Sequence, residues 1–103
     1  MGKILDVNLT TGQSAMPQVK LFGILRRYAG ASQIEANGAT VRAALELLCT
    51  GNPTLHAAIW EENALRRYVR VMVNGHDIEL VQGLDTPIAP DDEIAVFPPI
   101  AGG

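Results

Sequence analysis

Few side chains in this 103-residue chain are of the kinds that carry out chemistry. It has two histidines, His56 and His76, and one cysteine, Cys49. None has a second ligand at the C-x-x-C or H-x-x-x-H spacing that would hold zinc. Each histidine reads as a surface or locally hydrogen-bonded group. Cys49 falls on the apolar face of a helix near its C-terminal end, where the dipole disfavours a thiolate, so it reads as a packing residue and not a nucleophile. Asp91, Asp92 and Glu93 have the residue types of a calcium loop without its spacing, and read as a solvated turn. The phosphate cradles G-x-G-x-x-G and G-x-x-x-x-G-K-[ST] do not occur. The chain by itself is expected not to be an enzyme, with no bound cofactor and no metal.

One group remains, at the end of the sequence, which reads VFPPIAGG. The α-carboxylate of Gly103, with a pKa of about 3.5, is ionised at neutral pH and is a poor electrophile. It reacts only after another enzyme has turned it into an activated acyl group. Pro98 and Pro99 have fixed φ and no N–H, so they end strand pairing and hold the residues after them in an extended path. Ile100 to Gly103 are expected to project from the fold, and the stretch from Pro98 can reach about 20 Å. Ala101, Gly102 and Gly103 have almost no side-chain bulk, which suits a backbone that must enter a narrow channel. A frayed end is the bland alternative, but it has no need for a hydrophobic Ile100 or for prolines that lower its entropy.

The elements that must present this tail can be read from hydrophobic periodicity. Lys3 to Leu9 (KILDVNL) is strand-like and is followed by a T-T-G turn, so residues 1–17 are expected to form an N-terminal hairpin. The domain's first strand is placed at Gln18 to Leu25, with RRYAGAS as a turn and SQIEA as a short partner strand. Thr40 caps a helix whose apolar positions Val41, Ala44, Leu45, Leu48 and Cys49 recur at helical spacing, and Gly51 stops it. Asn52-Pro53 starts a shorter helix to about Glu62, with Leu55, Ala58 and Ile59 facing inward. In YVRVMVNGHDIEL, Val69, Val71 and Val73 share a face, and Asn74-Gly75 is the signature of a type I′ hairpin. GLDTPIAPDD is a turn-rich connection, and EIAVF is a last strand with Ile94 and Val96 on one face and Ala95 and Phe97 on the other. This order is an α+β ubiquitin-like β-grasp: a mixed sheet with one main helix across it, at residues 18–98, followed by an extended tail at 99–103. Because Phe97 faces away from Ile94 and Val96, it is expected to matter more to partner binding than to folding.

Composition agrees with one small domain: 48% of residues are hydrophobic and 18% charged. A net charge of −3 argues against nucleic acid and anionic membrane as partners. A lone cysteine excludes an intramolecular disulfide, and no stretch has the roughly 20 apolar residues of a membrane span. With no signal-peptide pattern at the start, the expected location is cytoplasmic.

Over about Gln18 to Gly103 the sequence resembles the MoaD/ThiS family of small ubiquitin-like sulfur carriers, and within it the small subunits of molybdopterin synthases. The resemblance is carried by VKLFGILRRYAG, GATVRAALELL and VRVMVNG, and most specifically by GLDTPIAPDDEIAVFPPIAGG. It implies that an ATP-dependent activating enzyme adenylates Gly103 and that a persulfide donor then converts it to a C-terminal thiocarboxylate. It also implies that the tail enters the large subunit of molybdopterin synthase and gives up its sulfur for the dithiolene of a molybdenum or tungsten pterin cofactor. Gly103 would bear the sulfur, Ala101 and Gly102 would thread, and Phe97, Pro98, Pro99 and Ile100 would form the apolar docking strip. The alternatives are a ubiquitin-like protein modifier, and a sulfur carrier for thiazole or amino-acid synthesis. Residues 1–17 depart from the family pattern. The stretch GKILDVNLTTGQ is similar to the opening of tungsten-containing aldehyde ferredoxin oxidoreductases, which would suggest a carrier dedicated to such a tungsten aldehyde oxidoreductase system. A generic hairpin is the plainer reading.

Overall fold

The computed structural model describes residues 16–99. The expected N-terminal hairpin and the residues Ile100, Ala101, Gly102 and Gly103 therefore lie outside the described residues, apart from Met16 and Pro17. Among the described residues twelve short elements succeed one another: β1 (Gln18–Leu21), α1 (Ile24–Ala29), β2 (Gln33–Glu35), α2 (Val41–Leu48), α3 (Pro53–Ile59), β3 (Trp60–Glu61), β4 (Ala64–Leu65), β5 (Arg70–Val73), β6 (His76–Asp77), two 3-10 turns (Ile78–Leu80 and Gly83–Asp85) and β7 (Glu93–Phe97).

The main sheet has the order β2-β1-β7-β5-β6. β1 and β7 run parallel at its centre, with Val19 opposite Ile94 and Leu21 opposite Val96, while β2, β5 and β6 add on in antiparallel register. A mixed sheet with its first and last strands side by side is the β-grasp arrangement expected from the element order. Alternation sends Val19, Leu21, Val71, Val73, Ile94 and Val96 to the inner face, where all are buried. They form one cluster with Val41, Ala44, Leu45, Leu48 and Cys49 of the α2 region and with Leu55 and Ile59 of α3. Thr40 caps α2, its hydroxyl accepting from the Ala43 N–H at 3.2 Å, and Asn52 caps α3 in the same way through the Leu55 N–H at 3.1 Å. Asn74 and Gly75 adopt φ of +51° and +85°, as a type I′ hairpin requires.

Two expectations need correction. The first strand ends at Leu21, and most of what reads as its continuation and as a turn is the helix α1. The cause is Gly23, whose φ of +59° and ψ of −137° put it at the first central position of a type II′ turn closed by the Leu25 N–H to the Phe22 carbonyl at 3.2 Å. The second helix stops at Ile59 and not near Glu62. Trp60–Glu61 pairs instead with Ala64–Leu65, and Glu62 takes a φ of +59° in the tight connection between them. Trp60 is buried, so the chain reverses to place that indole inside, at the expense of further helix.

Candidate functional site

The last strand carries the chain to Phe97 and delivers Pro98 and Pro99 to the rim of the sheet's outer face. The Phe22 N–H continues the parallel ladder by donating to the Val96 carbonyl at 3.2 Å, which sets Phe22 beside Phe97. Their rings stack, with centroids 4.5 Å apart and planes 9° from parallel. Arg26 closes the far side: its guanidinium carbon lies 5.4 Å from the Phe22 ring centroid, and its Nε donates to the Leu21 carbonyl at 2.9 Å. Pro98 sits against Gly23 so tightly that a Cβ there would come within 2.8 Å of the proline Cγ. One glycine thus serves both the turn and the seat of Pro98, where the domain passes into the tail.

Beside this seat is an open hollow of about 750 Å³, lined by Phe97, Pro98 and Pro99 on one side and by Tyr68, Arg70, Met72 and Asp77 on the other. Register explains the grouping, because Arg70 lies opposite Phe97 and Met72 opposite Ala95. Arg70 is tied across the hairpin to Asp77, Nη2 to Oδ2 at 2.5 Å. The Asp77 carboxyl is held below the usual carboxylate range, chiefly by the Glu79 backbone N–H, which donates to its Oδ1 at 2.9 Å, and further by Arg70. The hollow is therefore apolar with one internally neutralised ion pair at its edge.

The residues expected from sequence divide clearly. Phe97, Pro98 and Pro99 come together at the hollow, and Phe97 points away from buried Ile94 and Val96. Phe97 is nonetheless half-buried against Phe22, so its ring belongs to the fold as well as to the outer face. Cys49 is buried and its thiol is pushed up to about 11 by that burial, with the Trp60 indole offsetting a little of the rise. That indole N–H has no hydrogen-bond partner of good geometry among the described residues, so the offset is a loose contact and the thiol stays protonated. His56 and His76 are exposed. Asp92 accepts from the Asn74 side chain at 3.0 Å and from the Ala89 N–H at 2.7 Å, while Glu93 pairs with Lys20 at 2.9 Å. Asp92 thus braces the 89–93 turn against the hairpin, and Glu93 ties its end to β1. Among the described residues no cluster of three His, Cys, Asp or Glu could hold a metal, and no helix is long and apolar enough to cross a membrane.

Sequence reasoning missed Phe22, Gly23 and Tyr68. The first two were within reach: a strand that buries Val19 and Leu21 must turn Lys20 and Phe22 outward, and a glycine directly after is a turn signal. Tyr68 had no such signal.

The pattern of the ThiS family matches residues 19–103. A sulfur carrier protein, CysO, of Mycobacterium tuberculosis is 30% identical over 84 residues, which is 78% of this chain and 90% of the relative. The solution structure of small archaeal modifier protein 1 from Methanosarcina acetivorans superposes with a TM-score of 0.79 at 32% identity, covering 89% of this chain and 100% of that one. The CysO-type structure from the Amycolatopsis orientalis BexX/CysO complex gives 0.75 at 30% identity, covering 84% and 98%. The residues matched run through the outer-face strands to the terminal glycines, and the chain belongs to the ThiS family of ubiquitin-like sulfur carriers.

Proposed function

We propose that this chain carries sulfur as a thiocarboxylate on Gly103 and delivers it for the dithiolene of a molybdenum or tungsten pterin cofactor. In the first step a Gly103 carboxylate oxygen attacks the α-phosphorus of ATP on a separate activating enzyme, and pyrophosphate leaves. A persulfide sulfur then attacks the acyl carbon and expels AMP, and a thiol cleaves the resulting acyl disulfide to free the thiocarboxylate. The carrier supplies no acid or base to these steps. Its part is to hold the root of the tail rigidly and offer a surface on which an enzyme can seat.

The observation that carries the reading is the anchored root: Phe97 stacked on Phe22, and Pro98 seated on Gly23. A tail that starts from a fixed point arrives at a partner's active site with less ordering entropy to lose. Phe97, Pro98, Pro99 and Ile100 would be the docking strip, and Ala101 and Gly102 the threading segment. The large subunit of a molybdopterin synthase is the proposed acceptor, and a tungsten aldehyde oxidoreductase system the proposed end user.

The test is intact-mass spectrometry after incubation with an activating enzyme, ATP and a persulfide donor. Wild type is expected to gain the mass of one oxygen-to-sulfur exchange at its C-terminus. A chain lacking Gly103, or lengthened by one residue, moves the reactive carbon by about 3.5 Å and is expected to gain none. Equal thiolation of the altered tails would overturn the reading.

A second reading, a ubiquitin-like modifier joined to lysines through Gly103, is favoured by the likeness to small archaeal modifier protein 1. Isopeptides to Gly103 on cellular proteins would support it.

A further inference from the structure

The turn between β4 and β5 contains a residue whose backbone conformation is hard to explain by folding alone. The Val69 N–H donates to the Arg66 carbonyl at 3.1 Å, so Arg66 to Val69 is a β-turn, and Tyr68 at its third position has a φ of +70°. That position in a turn of this class favours glycine, and a bulky side chain there is strained. Asn74 takes its positive φ in a hairpin turn whose geometry suits asparagine, but an aromatic residue gains nothing comparable. Nor is the strain offset by burial, because Tyr68 is 67% exposed. Its ring lines the hollow with Phe97, Pro98 and Pro99 and lies 5.3 Å from the Arg67 guanidinium carbon.

The charges around it form a second, independent pattern. The chain carries a net charge of −3, yet Arg66, Arg67 and Arg70 line one shallow hollow together with Tyr68. Arg70 is neutralised by Asp77, whereas neither Arg66 nor Arg67 has a carboxylate partner among the described residues. Glu79 lies on the same side and leaves a local excess of positive charge. An exposed aromatic flanked by two arginines that have no carboxylate partner among the described residues has the composition of an interface anchor.

We propose that the Arg66-Arg67-Tyr68 turn is a docking element for the enzyme that activates the tail. Its complement there is an apolar patch that receives the Tyr68 ring, flanked by carboxylate side chains that pair with Arg66 and Arg67. Tyr68 is kept at a position that favours glycine because its ring binds the partner, not because it stabilises the fold. The turn borders the root of the tail, so an enzyme surface that covers Pro98 and Pro99 covers it too. The choice of partner rests on the carrier reading; the strain and the charge pattern do not.

The experiment uses the full chain and the ubiquitin-activator-like adenylating enzyme of the same organism, titrated without ATP by calorimetry. Tyr68→Gly and Tyr68→Asn, both tolerant of positive φ, are expected to bind at least about thirtyfold more weakly. Their thermal midpoints are expected to hold, or to rise by up to about 4 °C. Reversing both arginines, Arg66→Glu with Arg67→Glu, is expected to weaken binding about tenfold or more at low salt and much less at high salt. Unchanged affinity in the Tyr68 variants, a midpoint that falls by more than about 4 °C, or a wild type that does not bind would each overturn the docking role. Thiolation of Gly103 separates the two readings. Weakened variants alongside a wild type that binds but acquires no sulfur support docking and sink the carrier chemistry; full thiolation with unchanged affinity does the reverse.

Discussion

At the scale of single residues, Gly23 joins fold and function. Its φ of +59° and ψ of −137° lie where a residue with a Cβ is strained, and that Cβ would also press on the rigid Pro98 ring at 2.8 Å. Both effects act together in Gly23→Ala, which is expected to lose about 2 kcal/mol of stability, a fall of roughly 8–16 °C in the thermal midpoint. Differential scanning calorimetry checks this, and a midpoint within about 2 °C of wild type would show that the turn relaxes freely. Phe97 shows the same overlap of roles. Sequence alone assigns it to binding because it faces away from the core, but the stack on Phe22 means that its removal also takes an aromatic pair from the fold. Tyr68, strained and exposed, is the better place to look for binding without folding.

At the scale of elements, the β5–β6 hairpin is held closed by the Arg70–Asp77 pair and by the Glu79 N–H on the same carboxylate. Because Asp77's folded pKa is depressed, its contribution to stability is present above the ordinary carboxylate value and is lost as pH falls through the folded value, below about 3.8. Wild type is therefore expected to lose more stability between pH 6 and pH 3 than Asp77→Asn, with the two urea midpoints converging at the acid end. Parallel midpoints across that range would show that the pair contributes nothing measurable, as is common for exposed bridges. These elements also show what could be read without coordinates. The Thr40 cap, the α2 stripe, the Asn-Gly hairpin and the alternation of the last strand were legible because each rests on local periodicity or turn chemistry. The helix α1 was not: its six residues bury only Leu25, too little to impose a helical period, and Gly23 looked like a small residue within a strand. The β3–β4 pair was hidden for a similar reason, since two-residue strands carry no alternation. The candidate site was legible as a linear motif at the tail, whereas the hollow beside it depends on cross-strand register between Arg70 and Phe97.

At the scale of the whole molecule, the five-stranded sheet of the described residues begins at Gln18. β1 is central, flanked by β2 on one side and β7 on the other, so neither of its hydrogen-bonding edges is left for a preceding strand. Pro17, just ahead of it, is buried, and its carbonyl accepts the Ala36 N–H at 3.0 Å, which fastens the start of the domain to the chain beyond β2. Among the described residues, every buried member of the apolar cluster falls between Val19 and Val96. A chain that starts at Met16 therefore keeps every one of these residues. Deleting residues 1–15 is expected to leave a cooperative thermal transition within about 4 °C of the full chain, corresponding to less than about 1 kcal/mol. The truncated chain is also expected to accept sulfur on Gly103 in the intact-mass assay as completely as the full chain, because the root of the tail is set by Gly23, Phe22 and Phe97. Loss of the cooperative transition by circular dichroism would place residues 1–15 in the fold. A folded but unthiolated truncation would instead assign them to recognition by the activating enzyme, and the domain would then dock through two separate surfaces.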